Sequence, residues 1–119
     1  YACRGGVAGQ HYCGGDDVDQ VAWYGGNSGD QTHPVGKKAA NGFGLHDLSG
    51  NVWEWTCSLY DKEYGGVELK CNNKDTISPL AVRGGAWSSY PARVRSAVRN
   101  GGTPADRSVN RGFRLARSL

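Results

Sequence analysis

Glycine occurs so often along this chain that it limits the fold before any other residue is considered. Nineteen of the 119 residues are glycine, more than twice the usual share. Because glycine interrupts helices and favours turns, we expect no long helices, but short strands joined by structured loops. A chain of this length fits one domain, residues 1–119, with a modest core. It contains no apolar run long enough for a membrane span and no visible signal peptide, and its start without methionine suggests a fragment or a processed product.

One stretch of unusual residues, 44–55, is expected to organise the rest of the chain. The Trp-Glu-Trp alternation at 53–55 predicts a short strand with both indole rings on one face. The preceding loop carries Asp47 and Asn51, so with Glu54 it offers two carboxylates, an amide and turn carbonyls to a hard cation such as calcium. The alternative is that Glu54 pairs with one of the many arginines.

Charge is divided unevenly along the chain. Residues 1–80 hold six Lys/Arg and ten Asp/Glu, whereas residues 81–119 hold eight arginines, one acid and no lysine. Arginine without lysine favours planar, hydrogen-bonded roles over a general cationic surface. Nucleic-acid binding is not expected, because no nucleic-acid-binding motif accompanies the arginines. We therefore predict that they pair with the acidic first part of the chain.

The four cysteines leave two alternatives open. No Cys-x-x-Cys occurs, so a structural zinc site is not expected. Cys3 and Cys13 flank a glycine-rich loop, and Cys57 and Cys71 flank a polar excursion, so either pair would close a loop as a disulfide. A reduced chain is equally compatible with the count.

Local patterns predict the remaining elements. The pattern predicts the end of a helix at residues 1–4, strands at 67–69, 80–87 and 112–117, and a turn at 100–104.

The sequence of residues 44–55, Gly-Leu-His-Asp-Leu-Ser-Gly-Asn-Val-Trp-Glu-Trp, resembles the signature of the formylglycine-generating enzyme (sulfatase-modifying factor) family. Three further segments agree with that family in order and spacing: residues 1–6, 83–87 and 95–116. The resemblance implies an α+β, loop-rich, C-type-lectin-like fold, of which this chain is the C-terminal portion. It also implies a calcium ion held by the side chains of Asp47 and Glu54 and the carbonyls of Gly50 and Val52.

The chain departs from the catalytic members of the family at one decisive place. The resemblance implies that catalytic members carry a pair of cysteines shortly after the segment that matches residues 83–87. In this chain residues 88–94 contain no cysteine, and none follows Cys71. A serine hydroxyl can neither bind Cu(I) as a thiolate does nor carry out the redox chemistry of a thiol. Formylglycine generation is therefore not expected. A metal-dependent, oxidoreductase-type enzyme of the same superfamily is the alternative, although the three histidines show no ligand spacing.

A second resemblance is to non-catalytic members of this fold, the variable proteins of diversity-generating retroelements. In those proteins the last segment is rewritten at adenine-containing codons, often asparagine codons, and the outcomes permitted from such codons exclude Met, Trp, Gln, Lys and Glu. Residues 88–111 contain none of these five types, where the composition of the remaining chain predicts about four. The resemblance implies a binding face for a protein or glycan ligand and a bacterial or phage source, with the compartment open between cytoplasm and cell surface. The implied ligand-binding residues, here called the candidate ligand face, are Trp87, Ser88, Ser89, Tyr90, Arg93, Arg95, Val98, Gly101, Gly102, Ser108, Val109 and Arg111.

Overall fold

The computed structural model describes residues 1–73 and 75–116. Its regular elements are short, and none of the helices in these ranges is long and apolar enough to cross a membrane. The short elements and structured loops predicted from the glycine content are confirmed, as is the α+β class implied by the family resemblance. In chain order the elements are a 3₁₀ turn Ala2–Arg4, α1 Val18–Val21, β1 Ala22–Trp23, β2 Ser49–Gly50, β3 Trp53–Leu59, a 3₁₀ turn Val67–Leu69, β4 Leu80–Arg83, a 3₁₀ turn Pro91–Arg93, β5 Arg99–Gly102 and β6 Arg111–Gly112.

The central feature is a four-stranded sheet in the order β5-β4-β3-β6. β4 runs antiparallel to β3 and to β5, whereas β6 runs parallel to β3. A separate parallel pair joins β1 to β2. The pairing places the chain's last described strand against the predicted Trp-Glu-Trp strand.

The core consists of two small clusters. Trp53, Val82 and Ala86 form the first, and Trp55 packs against it, which confirms that both indole rings serve one face. The second consists of Val21, Ala22 and Val94. Since few large side chains are fully buried, much of the order in this molecule must come from hydrogen bonds and covalent links.

Two local predictions are wrong, one because of sheet pairing and one because of backbone conformation. Residues 100–104 were expected to form a turn, but Asn100–Gly102 belong to β5, because they pair with Leu80–Val82. The strand expected over 80–87 ends at Arg83, because Gly84 and Gly85 adopt φ values of 92° and 74°.

The other two strand predictions also need correction. Residues 67–69 form a 3₁₀ turn rather than a strand, closed by a hydrogen bond from the Lys70 amide to the Val67 carbonyl. The side chains of Val67 and Leu69 are exposed, so neither packs against a face of the sheet. The closing strand is limited to Arg111–Gly112, and Arg117 lies outside the described residues. At the other end, the predicted helix end is a 3₁₀ turn stopped by Gly5 at φ 56°.

Both cysteine pairs form disulfides, which resolves the alternative left open by the count. Cys3 bonds to Cys13, and Cys57 bonds to Cys71, across sequence separations of 10 and 14. Closing loops of this size stabilises a fold by about 3 kcal/mol each in the chain-entropy account. The bonds compensate for the small apolar core.

We expect Gly85→Ala to be strongly destabilising. A Cβ at this position would lie 2.6 Å from Val94 Cγ1 and 2.7 Å from the Arg93 carbonyl oxygen, in a backbone with φ +74°. Overlap added to the left-handed backbone cost should lower the free energy of unfolding by about 3 kcal/mol in urea titrations. Gly29→Ala, at φ +63° but facing open space, is the matched control and should cost only about 1 kcal/mol. Equal losses would contradict the packing described for Gly85.

Candidate functional site

The loop that carries the predicted site is held by Asn51. Its side chain bridges His33, accepting from the His33 amide at 3.0 Å and donating to the His33 carbonyl at 3.1 Å. Its backbone N–H donates to the Trp23 carbonyl, and its carbonyl accepts from the Trp87 amide. Asn51 is buried and has φ 62°, a conformation that asparagine tolerates better than most residues. One residue therefore fixes three distant segments around the loop.

A cavity of about 440 Å³ opens beside this loop. Asp47 lies in its wall, buried, with φ 57°. One carboxylate oxygen, Oδ2, accepts from the Gly36 amide at 2.7 Å. The other, Oδ1, is buried and accepts no hydrogen bond from the residues that the structure describes. Such an oxygen is a natural place for a cation, because an unsatisfied buried carboxylate atom is costly.

Glu54, on the same wall, is already engaged by Arg114. The guanidinium donates from Nε to Oε2 at 3.1 Å and from Nη2 to Oε1 at 2.6 Å. Nη2 also donates to the His46 carbonyl at 2.8 Å, so Arg114 ties β3 to the loop. Hydrogen bonding to the Glu54 carboxylate raises the pKa of Arg114 above its usual value. The alternative in which Glu54 pairs with an arginine is therefore what the structure contains.

The four predicted calcium ligands are only partly brought together. Asp47, Val52 and Glu54 line the cavity, whereas Gly50 is buried in β2 outside its lining. The free oxygen of Asp47 suits a cation, but the Glu54 carboxylate is neutralised by Arg114. A calcium ion would have to share or displace that guanidinium. The calcium site stays a prediction.

Sequence reasoning missed the residues that complete the cavity wall. Val35 and Phe113 add exposed apolar surface, and Arg114 supplies its positive charge. The only sequence signal for Arg114 was its place in residues 95–116, the last of the segments that resemble the family. No sequence spacing relates Arg114 to Glu54. The contact arises because β6 pairs with β3 in parallel, bringing Gly112 opposite Glu54.

The candidate ligand face divides into exposed and packed residues. Val98 packs on the core cluster of Trp53, and Gly102 is buried. A Cβ on Gly102 would lie 2.7 Å from the Trp55 ring, and one on Gly101 would lie 2.7 Å from the Tyr60 ring. These three positions are therefore packed within the fold and do not present a side chain to a ligand. The exposed members are Ser88, Tyr90, Arg93, Arg95, Ser108 and Val109.

Three remaining members of the candidate ligand face are half-buried and engaged. Arg111 donates to Asp106 Oδ2 at 2.9 Å and lies 5.3 Å above the Trp55 ring. Ser89 Oγ accepts from the Ala86 amide at 3.0 Å, and the Trp87 carbonyl accepts from the Ser28 hydroxyl at 2.8 Å. These contacts orient the segment.

The predicted pairing of the second part's arginines with the acidic first part is confirmed for some of them. Arg99 contacts the buried carboxylate of Glu68, Arg114 pairs with Glu54, and Arg111 pairs with Asp106. Two of these three acids lie in the first 80 residues. Part of the division of charge along the sequence thus reflects internal ion pairs.

The three histidines are held separately from one another. His11 pairs with Asp16 at 3.1 Å, His46 Nδ1 contacts the Lys38 carbonyl, and His33 stacks on Trp23 with ring centroids 3.8 Å apart. Within residues 1–73 and 75–116, no group of three His, Cys, Asp or Glu side chains is arranged to hold a metal. The metal-dependent enzyme alternative gains no support from these residues.

Similarity to known proteins identifies the family of this chain. The chain matches the Sulfatase-modifying factor enzyme 1-like domain over residues 1–119, and it belongs to that family. It is 33% identical over 135 residues to the formylglycine-generating enzyme of Streptomyces coelicolor, covering 98% of this chain and 43% of that protein. It is also 33% identical to the Inactive C-alpha-formylglycine-generating enzyme 2 of Mus musculus, covering 99% of this chain and 40% of that protein.

Among solved structures, Treponema denticola variable protein 1 superposes with a TM-score of 0.82 at 29% identity. The superposition covers 95% of this chain and 42% of that one. The family and the C-type-lectin-like fold predicted from residues 44–55 are thereby confirmed. The chain spans about two fifths of the length of each of these relatives.

The Glu54–Arg114 contact can be tested with a double-mutant cycle. The side chains are 19% and 37% exposed, so we expect a coupling energy of about 1 kcal/mol from Glu54→Gln, Arg114→Gln and the double variant. The measurement is the free energy of unfolding by urea at low ionic strength. Arg107→Gln, whose guanidinium contacts only carbonyls of its own turn among the described residues, should leave stability unchanged. Additive effects of the two single variants would show that the pair contributes nothing.

Proposed function

We propose that this domain is a non-catalytic ligand-binding module that displays residues 88–111 as a variable face, in the manner of a diversity-generating-retroelement variable protein. The observation that carries the proposal is a contrast within this segment. Six members of the candidate ligand face are exposed, while the backbone between them is anchored at buried positions. Structural similarity to a variable protein, at a TM-score of 0.82, supports the same interpretation.

The backbone of the segment is anchored by contacts that do not depend on its exposed side chains. Val94 is fully buried, and its carbonyl accepts from the Ser49 hydroxyl at 2.8 Å. The Ser89 carbonyl accepts from the Gly25 amide at 2.7 Å, and the Ser96 amide donates to the His11 carbonyl at 2.7 Å. A segment held in this way keeps its path when its exposed residues change, which is what a diversified surface requires.

The exposed side chains have the chemistry of an adaptable recognition surface. Tyr90 supplies a rigid aromatic ring with a hydroxyl, Arg93 and Arg95 supply planar donors, and Ser88 supplies a small polar contact. Tyrosine, serine and arginine are the residues that antibody paratopes favour for protein and glycan recognition. A protein or glycan partner therefore suits this surface better than a small apolar ligand, which needs a concave apolar pocket.

The missing cysteines support a non-catalytic role. Residues 88–94 contain no thiol, and all four cysteines of the chain are in disulfides. A disulfide-bonded cysteine has no thiolate for metal binding or nucleophilic chemistry. The proposed ligand binding requires neither a thiolate metal ligand nor a thiolate nucleophile.

Sequencing of the locus across a population tests the proposal. We expect a near-identical repeat of the DNA for residues 88–111 beside a reverse-transcriptase gene, with substitutions in that coding DNA confined to positions that are adenine in the repeat. The codons for residues 44–55 provide an internal control and should be constant. A locus without the repeat, whose differences are spread evenly over both regions, would refute the variable-protein assignment.

Calcium is proposed as a structural ion at the cavity of residues 44–55. Asp47 would supply its free Oδ1, and Val52 and Glu54 lie on the same cavity wall. The ion would offset the buried charge that Asp47 otherwise carries without a full set of partners. Because Arg114 already neutralises Glu54, we expect weaker binding than at a site with two free carboxylates.

Calcium dependence is measured by thermal unfolding in calcium and in chelator. We expect chelation to lower the midpoint by about 5 °C. Asp47→Asn should abolish the difference, because the amide keeps an acceptor for Gly36 but loses the charge. Asp30→Asn, at another positive-φ aspartate that is exposed, should preserve it. The same midpoint in calcium and in chelator for the unmodified protein would exclude the site.

A further inference from the structure

A second cleft lies apart from the candidate ligand face and is lined by arginines. It has a volume of about 440 Å³, and we call it the arginine groove. It lies between the first 3₁₀ turn, the end of β4 and the start of β5. None of its lining residues belongs to the candidate ligand face. Its polar lining comes from Arg4, Arg83, Arg99, Ser96 and Tyr64, with Tyr1 and Cys3 at one end.

Arg99 forms the fixed base of the arginine groove. It contacts the Glu68 carboxylate, donates to the Asp61 carbonyl at 2.7 Å and lies 4.6 Å above the Tyr64 ring. Its side chain is 17% exposed and that of Glu68 is 7% exposed. Because Nη1 contacts both Glu68 and the Asp61 carbonyl, and Nη2 donates to the Lys62 carbonyl at 3.4 Å, Arg99 contributes mainly charge to the groove.

Arg4 and Arg83 are positioned by one shared residue, Ser96. Arg83 donates from Nη2 to the Ser96 carbonyl at 3.0 Å, and Arg4 donates from Nε to the Ser96 hydroxyl at 3.3 Å. Ser96 is itself fixed, because its hydroxyl donates to the Gln10 carbonyl and its amide donates to the His11 carbonyl. Two guanidinium groups thus converge on the groove from a common anchor.

Both guanidinium groups retain donors for a ligand. Among the described residues, no hydrogen bond uses either Nη atom of Arg4 or Nη1 of Arg83. Arg83 Nη1 lies 4.0 Å from Glu68 Oε2, beyond hydrogen-bonding distance. A ligand oxygen placed between Arg4 and Arg83 would meet charged donors from both sides.

The charges in the arginine groove are unbalanced. Three guanidinium groups face one carboxylate, Glu68, which contacts Arg99. Burial lowers the pKa of Arg83, and repulsion from Arg99 lowers it further against the opposing attraction of Glu68. An anion bound in the groove would relieve this repulsion, and the two positive charges left over match a dianion better than a monoanion.

We propose that the arginine groove binds a dianionic oxyanion of the phosphate type, held by the free donors of Arg4 and Arg83 above the fixed charge of Arg99. Planar guanidinium groups suit oxyanions because each N–H direction matches an oxygen lone pair. No member of the candidate ligand face lines the groove, although Ser96, Ala97 and Arg99 lie within residues 88–111. Phosphate binding and variation of the locus are separate measurements, so the failure of one proposal is distinguishable from the failure of the other.

Calorimetric titration with inorganic phosphate at low ionic strength tests the proposal. We expect saturable one-to-one binding that Arg4→Gln weakens about tenfold and Arg83→Gln weakens at least as much. Arg4 is exposed, and its one side-chain hydrogen bond among the described residues is to Ser96, so its variant should keep the fold if the Arg83 variant does not. Arg107→Gln, an equal loss of charge away from the groove, should bind phosphate unchanged.

Three results would overturn the proposal. The first is no saturable phosphate binding by the unmodified protein. The second is equal weakening by Arg4→Gln and Arg107→Gln, which would mean general charge screening rather than a site. The third is acetate binding as tightly as phosphate, which would contradict the assignment of a dianion.

Discussion

The rest of the structure depends on a short run of hydrogen bonds at residues 49–51. The Ser49 hydroxyl donates to the Val94 carbonyl and accepts from the Cys13 amide. The Gly50 amide donates to the Gly84 carbonyl. Asn51 ties in three further segments through its side chain and backbone, as described above. All three residues are buried, so these hydrogen bonds are shielded from water and costly to leave unmade.

This arrangement explains why a chain with few large buried side chains has a defined fold. A Cβ on Gly50 would lie 2.2 Å from the Trp23 carbonyl oxygen, so glycine is required for β1 and β2 to approach. The disulfide between Cys3 and Cys13 fixes the segment that Ser49 contacts. The Trp53 cluster then adds apolar burial through its contacts with Val82 of β4 and with Val98. Residues 88–95 are joined to this support through Val94, whose carbonyl accepts from the Ser49 hydroxyl.

The sequence predicted those parts of the fold that rest on residue type. Alternation at 53–55 predicted that strand and its ring-bearing face, the glycine content predicted short elements joined by loops, and the division of charge predicted ion pairs within the fold. Residues 44–55 also predicted the family. What could not be predicted were contacts set by pairing across the sheet: Asn100–Gly102 as a strand, Arg114 on Glu54, and Ser96 between Arg4 and Arg83. Each joins residues far apart in sequence, and no local pattern encodes such partners.

Within residues 88–111, the buried residues that hold the backbone are separate from the exposed side chains of the proposed ligand face. Saturation mutagenesis of this segment, with protease resistance of surface-displayed protein as the readout for folding, tests it most directly. We expect nearly all substitutions at Ser88, Tyr90, Arg93, Arg95, Ser108 and Val109 to fold, and most at Val94 and Gly102 to fail. Uniform tolerance, or uniform failure, along the segment would contradict the separation.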